Sequence, residues 1–292
     1  MKGIVLAGGL GTRLYPSTLA CSKQMLTIYD KPMIYYPISL LLMAKIREIL
    51  IISTPHDIDF FKRLLKNGAR LGVNFTYLVQ EQPKGLAQAF ILGESFIAGD
   101  DVCLVLGDNI FYGRPLQSLI LQVCKNFSGA TIFGCRVNNP CDFGVLKFDE
   151  QKKGRVIAIE EKPVRPSSNY AVPGLYFYDS DVVEVAKSVK ASARGELEIT
   201  SVNEVYLKNG KLSVELFGDD LFWFDTGTHR EMLRAANFIE TVQSKQGVVV
   251  GCLEEIAYRN GFIGKNQLFN AAKAMEKSEY GAYLLKICNE TD

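Results

Sequence analysis

Along the first hundred positions, apolar residues fall in short unbroken runs separated by longer stretches of helical period. Gly3–Ala7, Ile49–Ser53, Asn74–Val79 and Val102–Leu106 read as strands. Between them, Met33–Ile46, Asp57–Lys66 and Leu86–Phe96 carry the helical pattern, the second opened by an acidic first turn. The strands are apolar at successive positions, as expected when both faces of a parallel sheet are covered. Strand alternating with helix predicts an α/β fold, with a Rossmann-like, doubly wound and mostly parallel central sheet.

From Ala130 the style changes. Ala130–Cys135, Gly144–Phe148, Val156–Ile159 and Tyr170–Tyr178 are strand-like with turn residues between them, predicting β-rich insertions that finish the sheet and add a flap. Helices Asp181–Ser188 and Glu198–Asn209 follow, then strands Lys211–Leu216 and Leu221–Phe224, the long amphipathic helix His229–Gln246 and a helical C-terminal segment. The stripe Met232, Leu233, Ala236, Phe238, Ile239 and Val242 reads as core or subunit contact, and the run Leu175–Tyr178 as sheet core. With no internal repeat, low-complexity tract or Pro/Gly-rich linker, the 292 residues are expected to form one domain with insertions.

Charge is nearly balanced at +1, so no basic field points to nucleic acid, and an anionic ligand needs a local cationic site. The seven cysteines (Cys21, Cys103, Cys124, Cys135, Cys141, Cys252 and Cys288) are scattered and never spaced as CxxC, which fits reduced thiols. Two histidines, His56 and His229, are too few for a histidine-rich metal centre. The longest nearly apolar stretch, Met33–Ala44, is broken by Pro37 and too short to span a bilayer. Strand-like sequence begins at Lys2, leaving no room for a signal peptide, so the expected compartment is the cytoplasm.

Chemistry gathers at the end of the first strand, in Leu6-Ala7-Gly8-Gly9-Leu10-Gly11-Thr12-Arg13-Leu14. Glycines after a buried strand permit positive φ and turn a row of N–H donors toward an anion, and Arg13 adds a cationic fork. No GKS or GKT follows, and Leu14 stands where GxGxxG needs its third glycine, so this is neither a P-loop nor a dinucleotide fingerprint. Lys23 supplies a second cation nearby. Asp108 follows Val102–Leu106, at the carboxyl end of a buried strand, where open α/β sheets place ligands and where a carboxylate suits Mg²⁺. Asp225 likewise ends Leu221–Phe224 and reads either as a metal ligand or as the N-cap of the following helix.

These segments occur in one order: GGxGTRL, Ser22-Lys23-Gln24, Asp30-Lys31-Pro32-Met33, Gln80–Ala89, Leu106-Gly107-Asp108-Asn109, Glu160-Glu161-Lys162-Pro163 and Asp225-Thr226-Gly227-Thr228. Together they resemble the sugar nucleotidyltransferases over nearly the whole chain, and within them the branch that joins dTTP to glucose 1-phosphate. The resemblance implies that Gly8, Gly9, Gly11, Thr12 and Arg13 hold the nucleotide phosphates, with Arg13 stabilising the departing pyrophosphate and Lys23 neutralising charge near the reacting phosphorus. It implies that Gln24, Gln80 and Gly85 contact the nucleoside, the last two reading the thymine edge. Asp108 and Asp225 would bind Mg²⁺. Asn109, Gly144, Glu161, Lys162 and Val172 would surround the sugar phosphate, with Glu161 on hydroxyls and Lys162 on phosphate. The product would be dTDP-glucose for dTDP-rhamnose and related sugars. A homotetramer is implied too, often inhibited by the end product at a second site between subunits.

Two positions depart from the pattern. Leu10 stands where a small polar residue is usual, and Phe143 replaces a tyrosine before Gly144-Val145, removing a hydroxyl near the sugar. Three competitors remain: a UTP-using relative, a nicotinamide oxidoreductase and a nucleotide sensor without activity. Against the second stand the missing GxGxxG and the lack of an acidic residue ending the second strand. Against the third stands the joint retention of Arg13, Lys23, Asp108 and Asp225.

Overall fold

The computed structural model describes residues 1–9, 11–152 and 154–290. In chain order the strands are β1 (Lys2–Ala7), β2 (Thr27–Ile28), β3 (Lys31–Pro32), β4 (Glu48–Ser53), β5 (Asn74–Val79), β6 (Val102–Leu106), β7 (Asn109–Tyr112), β8 (Ala130–Arg136), β9 (Gly144–Phe148), β10 (Val156–Glu161), β11 (Tyr170–Ala171), β12 (Leu175–Tyr178), β13 (Leu212–Leu216) and β14 (Phe222–Asp225). The helices are α1 (Tyr35–Met43), α2 (Ile58–Leu65), α3 (Gln88–Leu92), α4 (Glu94–Ile97), α5 (Leu116–Asn126), α6 (Val182–Ser188), α7 (Ile199–Lys208), α8 (His229–Gln246), α9 (Leu253–Arg259), α10 (Lys265–Ala274) and α11 (Glu279–Asn289).

Why the strands are apolar throughout is clear from where their side chains go. Successive residues of a strand point to opposite faces. Val5, Ala7, Ile49, Ile51, Cys103 and Val105 pack into one core with α1, α2, α5 and α9 to α11. Ile4, Leu6, Leu50, Ile52, Val102 and Leu104 pack into another with α3, α4, α6 and α7. Each valine, leucine or isoleucine among them, fully buried, contributes about 1.5–3 kcal/mol. A third, smaller core sets Ala235, Ile239 and Val242 of α8 against Ile28, Met33, Tyr36 and Ile110, whereas Leu233 of the predicted stripe stands exposed.

Ten strands form one mixed sheet in the order β10-β9-β11-β8-β12-β6-β1-β4-β5, with β13 paired to β8. Strands β6, β1, β4 and β5 run parallel, and β12 joins β6 and β8 antiparallel, so the β-rich section completes the sheet as expected. Chain order moves outward from β1 through β4 to β5 and then returns to β6 on the other side of β1. That reversal opens a crevice beyond the carboxyl ends of β1 and β6.

Local differences from the sequence reading have local causes. The run Tyr170–Tyr178 is two strands, because Pro173 and Gly174 break the ladder between them. Leu86–Phe96 becomes α3 and α4, with Gly93 between them, where a Cβ would lie 2.9 Å from the Ala89 carbonyl oxygen. Pro37 sits in the first turn of α1, where its missing N–H has no intrahelical partner to lose. All seven cysteines are free, as their spacing suggested. Among the described residues no helix is long and apolar enough to cross a membrane.

Candidate active site

Two loops at the crevice begin the site. After β1 the chain turns through Gly9 and Gly11, whose φ values of 98° and 59° favour glycine. A Cβ on Gly8 would stand 2.6 Å from Gln80 Oε1, so a side chain there would displace that amide. Thr12–Leu14 forms one 3₁₀ turn from which Arg13 reaches Gly227. A Cβ there would lie 3.2 Å from the guanidinium and 3.3 Å from Asp225 Oδ2, so the two groups face one another across a residue without a side chain. Leu10, one of the two departures, lies outside the described residues.

The second loop carries Asp108. Its carboxylate accepts from Lys23 Nζ and from Asn109 Nδ2, the latter at 3.0 Å. Its carbonyl accepts from Thr226 N–H at 3.1 Å and from the Thr226 hydroxyl at 2.7 Å, which clamps the Asp225 segment to the end of β6. The β7–β14 ladder completes the clamp by setting Asp225 opposite Asn109. Of the two readings of Asp225, the cap is excluded: Thr228 caps α8, its Oγ1 accepting from Glu231 N–H at 3.2 Å. Asp225 lines the cavity instead.

Electrostatics separates the two aspartates. Burial alone would raise Asp108, but the Lys23 ammonium and the Asn109 amide hold it below the ordinary carboxylate range. Burial, with the nearby Asp108 charge, pushes Asp225 up to about 6 against the pull of Lys23 and Arg13. A desolvated carboxylate pair is a donor set for a hard cation. Among the described residues no three His, Cys, Asp or Glu side chains gather as a cage. Two carboxylates with phosphate oxygens and water are what Mg²⁺ ordinarily takes, so these residues fit that ion.

Three hollows meet here. The largest, about 520 Å³, is lined by Arg13, Asp108, Asn109, Gly144, Glu161, Lys162, Val172 and Asp225 among others. A second of about 200 Å³ holds Gly8, Gly9, Gln24, Gln80 and Gly85, and shares Leu86, Leu106, Asp108 and Glu196 with the first. A third of about 210 Å³ is walled by Gly11, Thr12, Arg13, Lys23 and Gly227. Every candidate residue read from the sequence therefore borders one connected crevice.

On the second hollow, Gln80 Nε2 donates to Gln88 Oε1 at 2.8 Å, which fixes the amide and turns its oxygen toward Gly8. Gly85 has φ of 101°, and a Cβ there would lie 2.3 Å from the Leu197 carbonyl oxygen. On the large cavity, Glu161 accepts from the Thr200 hydroxyl and, at 3.2 Å, from Arg194. Lys162 holds φ of 44°, rare for a residue with a side chain, while its N–H donates to the Phe143 carbonyl at 3.0 Å. Val172 N–H donates to the Gly144 carbonyl at 2.8 Å. Asn109 lines the cavity too, but its Oδ1 accepts from Gly174 N–H at 2.9 Å and Trp223 Nε1 at 2.6 Å, so its amide braces Asp108.

Sequence reasoning missed several cavity residues: Arg194, Glu196, Thr200, Asn203, Tyr176 and Trp223. Tyr176 is sheet core, as its run predicts, and also borders the cavity. Burial and the carboxylates of Glu161, Asp108 and Asp225 raise its pKa, which keeps the hydroxyl protonated as a donor. Phe143 meets Trp223 edge to face at 5.0 Å, giving the cavity an apolar wall where a tyrosine would place a hydroxyl.

The nucleotidyl transferase family profile matches residues 2–242. The glucose-1-phosphate thymidylyltransferase of Neisseria meningitidis serogroup A is 54% identical over 98% of this chain and 99% of its own length. The enzyme of the same name from Mycobacterium tuberculosis H37Rv is also 54% identical, with the same coverage. A crystal structure from Bacillus anthracis, assigned as a glucose-1-phosphate thymidylyltransferase and in complex with a sucrose, superposes with a TM-score of 0.75 and 41% identity, covering 82% of this chain and 94% of that one. A UDP-glucose pyrophosphorylase complexed with UDP-glucose, 23% identical, shares the fold with a TM-score of 0.71, covering 82% of this chain and 98% of that one. The chain belongs to the nucleotidyl transferase family and, within it, to the glucose-1-phosphate thymidylyltransferases.

Proposed function

We propose that this chain transfers the thymidylyl group of dTTP to α-D-glucose 1-phosphate, releasing pyrophosphate and supplying dTDP-glucose to dTDP-sugar synthesis. The observation that carries the reading is the junction of the hollows. An amide-lined pocket and a larger cavity meet at Asp108, beside Asp225, Arg13 and Lys23.

The thymine base occupies the smaller pocket, where Gln80 Oε1 accepts from the ring N–H and the backbone at Gly85 meets the neighbouring edge. Gly8, Gly9, Gly11 and Thr12 present backbone N–H groups to the phosphates. The hexose lies in the larger cavity with Glu161 accepting from its hydroxyls, beside Gly144 and Val172. Lys162 reaches its phosphate. The nucleophile is a phosphate oxygen already ionised at neutral pH, so no general base is needed. It attacks the α-phosphorus in line while pyrophosphate leaves from the opposite side. Lys23 offsets charge at the reacting phosphorus and Arg13 charge on the departing group, so catalysis is alignment plus charge neutralisation. Asp108 and Asp225 would hold Mg²⁺, which would supply further neutralisation of phosphate charge. The family resemblance supports a homotetramer working in the cytoplasm.

The test is pyrophosphate release by the purified protein with dTTP, glucose 1-phosphate and Mg²⁺, beside reactions with UTP and without the metal. Release with dTTP that stops without Mg²⁺ is the expected result. Release with UTP alone moves the base assignment, and no release with any pair overturns the reading.

A further inference from the structure

The larger cavity contains one polar atom that the foregoing roles leave unused. Asn203, on α7, is 1% exposed and lines the cavity. Its Oδ1 accepts from the Tyr178 hydroxyl. Its Nδ2 is the one buried side-chain nitrogen or oxygen among the described residues with no hydrogen-bond partner. A buried donor without an acceptor carries its full desolvation penalty, and native chains keep few such groups.

The surroundings say what kind of acceptor would complete it. Thr200, one turn earlier on α7, borders the same cavity and donates to Glu161. Glu198 and Glu196 also line the cavity, so this part of the wall carries carboxylates. Arg194 is already paired with them, at 3.2 Å to Glu161 and 2.8 Å to Glu198, so it offers little free positive charge there, and a neutral hydroxyl, which can accept from an amide and donate to a carboxylate, fits this stretch of wall. Lys23 lies in the adjoining hollow with Gly11, Thr12 and Gly227, and Arg13 borders both hollows.

We propose that Asn203 is a specificity-determining residue that reads the hexose: its free Nδ2 donates to a ring hydroxyl in the cavity where Glu161 acts as acceptor. The inference rests on the function proposed above and deepens it. A fixed donor beside a fixed acceptor reads a hydroxyl more sharply than either alone, because a sugar lacking that hydroxyl leaves a buried group unpaired.

The experiment compares wild type, Asn203→Leu, Asn203→Ala and Tyr178→Phe, each with dTTP, Mg²⁺ and either glucose 1-phosphate or each monodeoxy glucose 1-phosphate in turn. Wild type is expected to lose about 10- to 100-fold in kcat/KM with one monodeoxy sugar whose hydroxyl Asn203 reads. Both Asn203 variants should lose a similar factor with glucose 1-phosphate and nothing further with that analogue, with the KM for dTTP unchanged. Tyr178→Phe removes the other bond of the amide but leaves Nδ2, so it should keep the wild-type preference. An even loss across all the sugars in the Asn203 variants, or the same loss in Tyr178→Phe, overturns the proposal. The alanine variant and the phenylalanine control carry the test if Asn203→Leu fails to fold in a thermal melt. Wild-type protein that turns over no sugar 1-phosphate with dTTP overturns the functional reading itself, whereas turnover with an even loss overturns only the role of Asn203.

Discussion

The parallel and antiparallel flanks of the sheet build their parts of the crevice from different materials. On the parallel side, the loops after β1, β5 and β6 bring backbone close through Gly8, Gly9, Gly11 and Gly85, beside the charged groups Arg13, Lys23 and Asp108 and the Gln80 amide. On the antiparallel side, β9, β10 and β12 with α7 present side chains, namely Glu161, Lys162, Tyr176, Thr200 and Asn203. Backbone N–H groups suit phosphates, which are alike in every nucleotide. Side-chain donors and acceptors suit hydroxyls, whose positions distinguish one sugar from another. The difference teaches that chain path and fixed charge can hold what all nucleotides share, while selectivity for the sugar is carried by rotamers.

Asp108, on the seam between the flanks, should break both at once. Asp108→Asn is expected to lower kcat by about 10³-fold or more while leaving circular dichroism and cooperative melting intact. Near-wild-type turnover in Mg²⁺ would remove Asp108 from the ligand set.

Asp225 sharpens the same point through stability. Its folded pKa of about 6 lies above the ordinary 3.8 of an aspartate, so the folded state holds the proton more tightly. Its contribution to metal-free stability is therefore lost as pH rises from about 4 to about 6, and stays lost above. Asp225→Asn escapes that penalty. It should gain up to about 3 kcal/mol at pH 7.5 without metal, with the gain vanishing below pH 4, even though activity falls. Melts with EDTA across that pH range decide it; no gain at pH 7.5 would mean the carboxylate is not under strain.

Glu161→Gln tests the antiparallel flank alone. It should cost about 10- to 100-fold in kcat/KM for glucose 1-phosphate while calorimetric affinity for dTTP is unchanged. Equal weakening of both ligands would mean the flanks are not separable. Gly85→Ala is the converse with the smallest effect. Its Cβ would meet the Leu197 carbonyl at 2.3 Å in a left-handed conformation, so the KM for dTTP should rise roughly tenfold, with a smaller change for the sugar. A larger change for the sugar would show that the contact serves the wrong flank.

Much of this was legible in the chain, and the omissions have physical reasons. The parallel strands announced themselves because residues such as Ile4 and Val5 must fill cores on opposite faces. The sequence reading places no element in segment 107–129, although Leu116, Leu119, Ile120 and Val123 carry the helical period of α5. Strand β7 is four residues long, and its partner β14 is remote in sequence, so no local pattern marks it. Asp108 and Asp225 were visible as strand-end carboxylates, but the choice between ligand and cap needed Thr228. Thr200 and Asn203 escaped because polar residues on an amphipathic helix look like a solvated face. Ile199, Val202 and Tyr206 mark the apolar side of α7 without showing that its border dips into a cavity. Arg194 comes from a loop, where no periodicity aims a side chain.

The four rungs Phe222–Tyr112, Trp223–Phe111, Phe224–Ile110 and Asp225–Asn109 have an evolutionary consequence. A slip of one residue along that ribbon would turn Asp225 to its opposite face and dissolve the carboxylate pair without changing a single catalytic letter. Descendants of this chain can therefore vary loops between Tyr112 and Phe222 that hold no site residue while keeping their chemistry. A single-residue insertion within either strand would silence them.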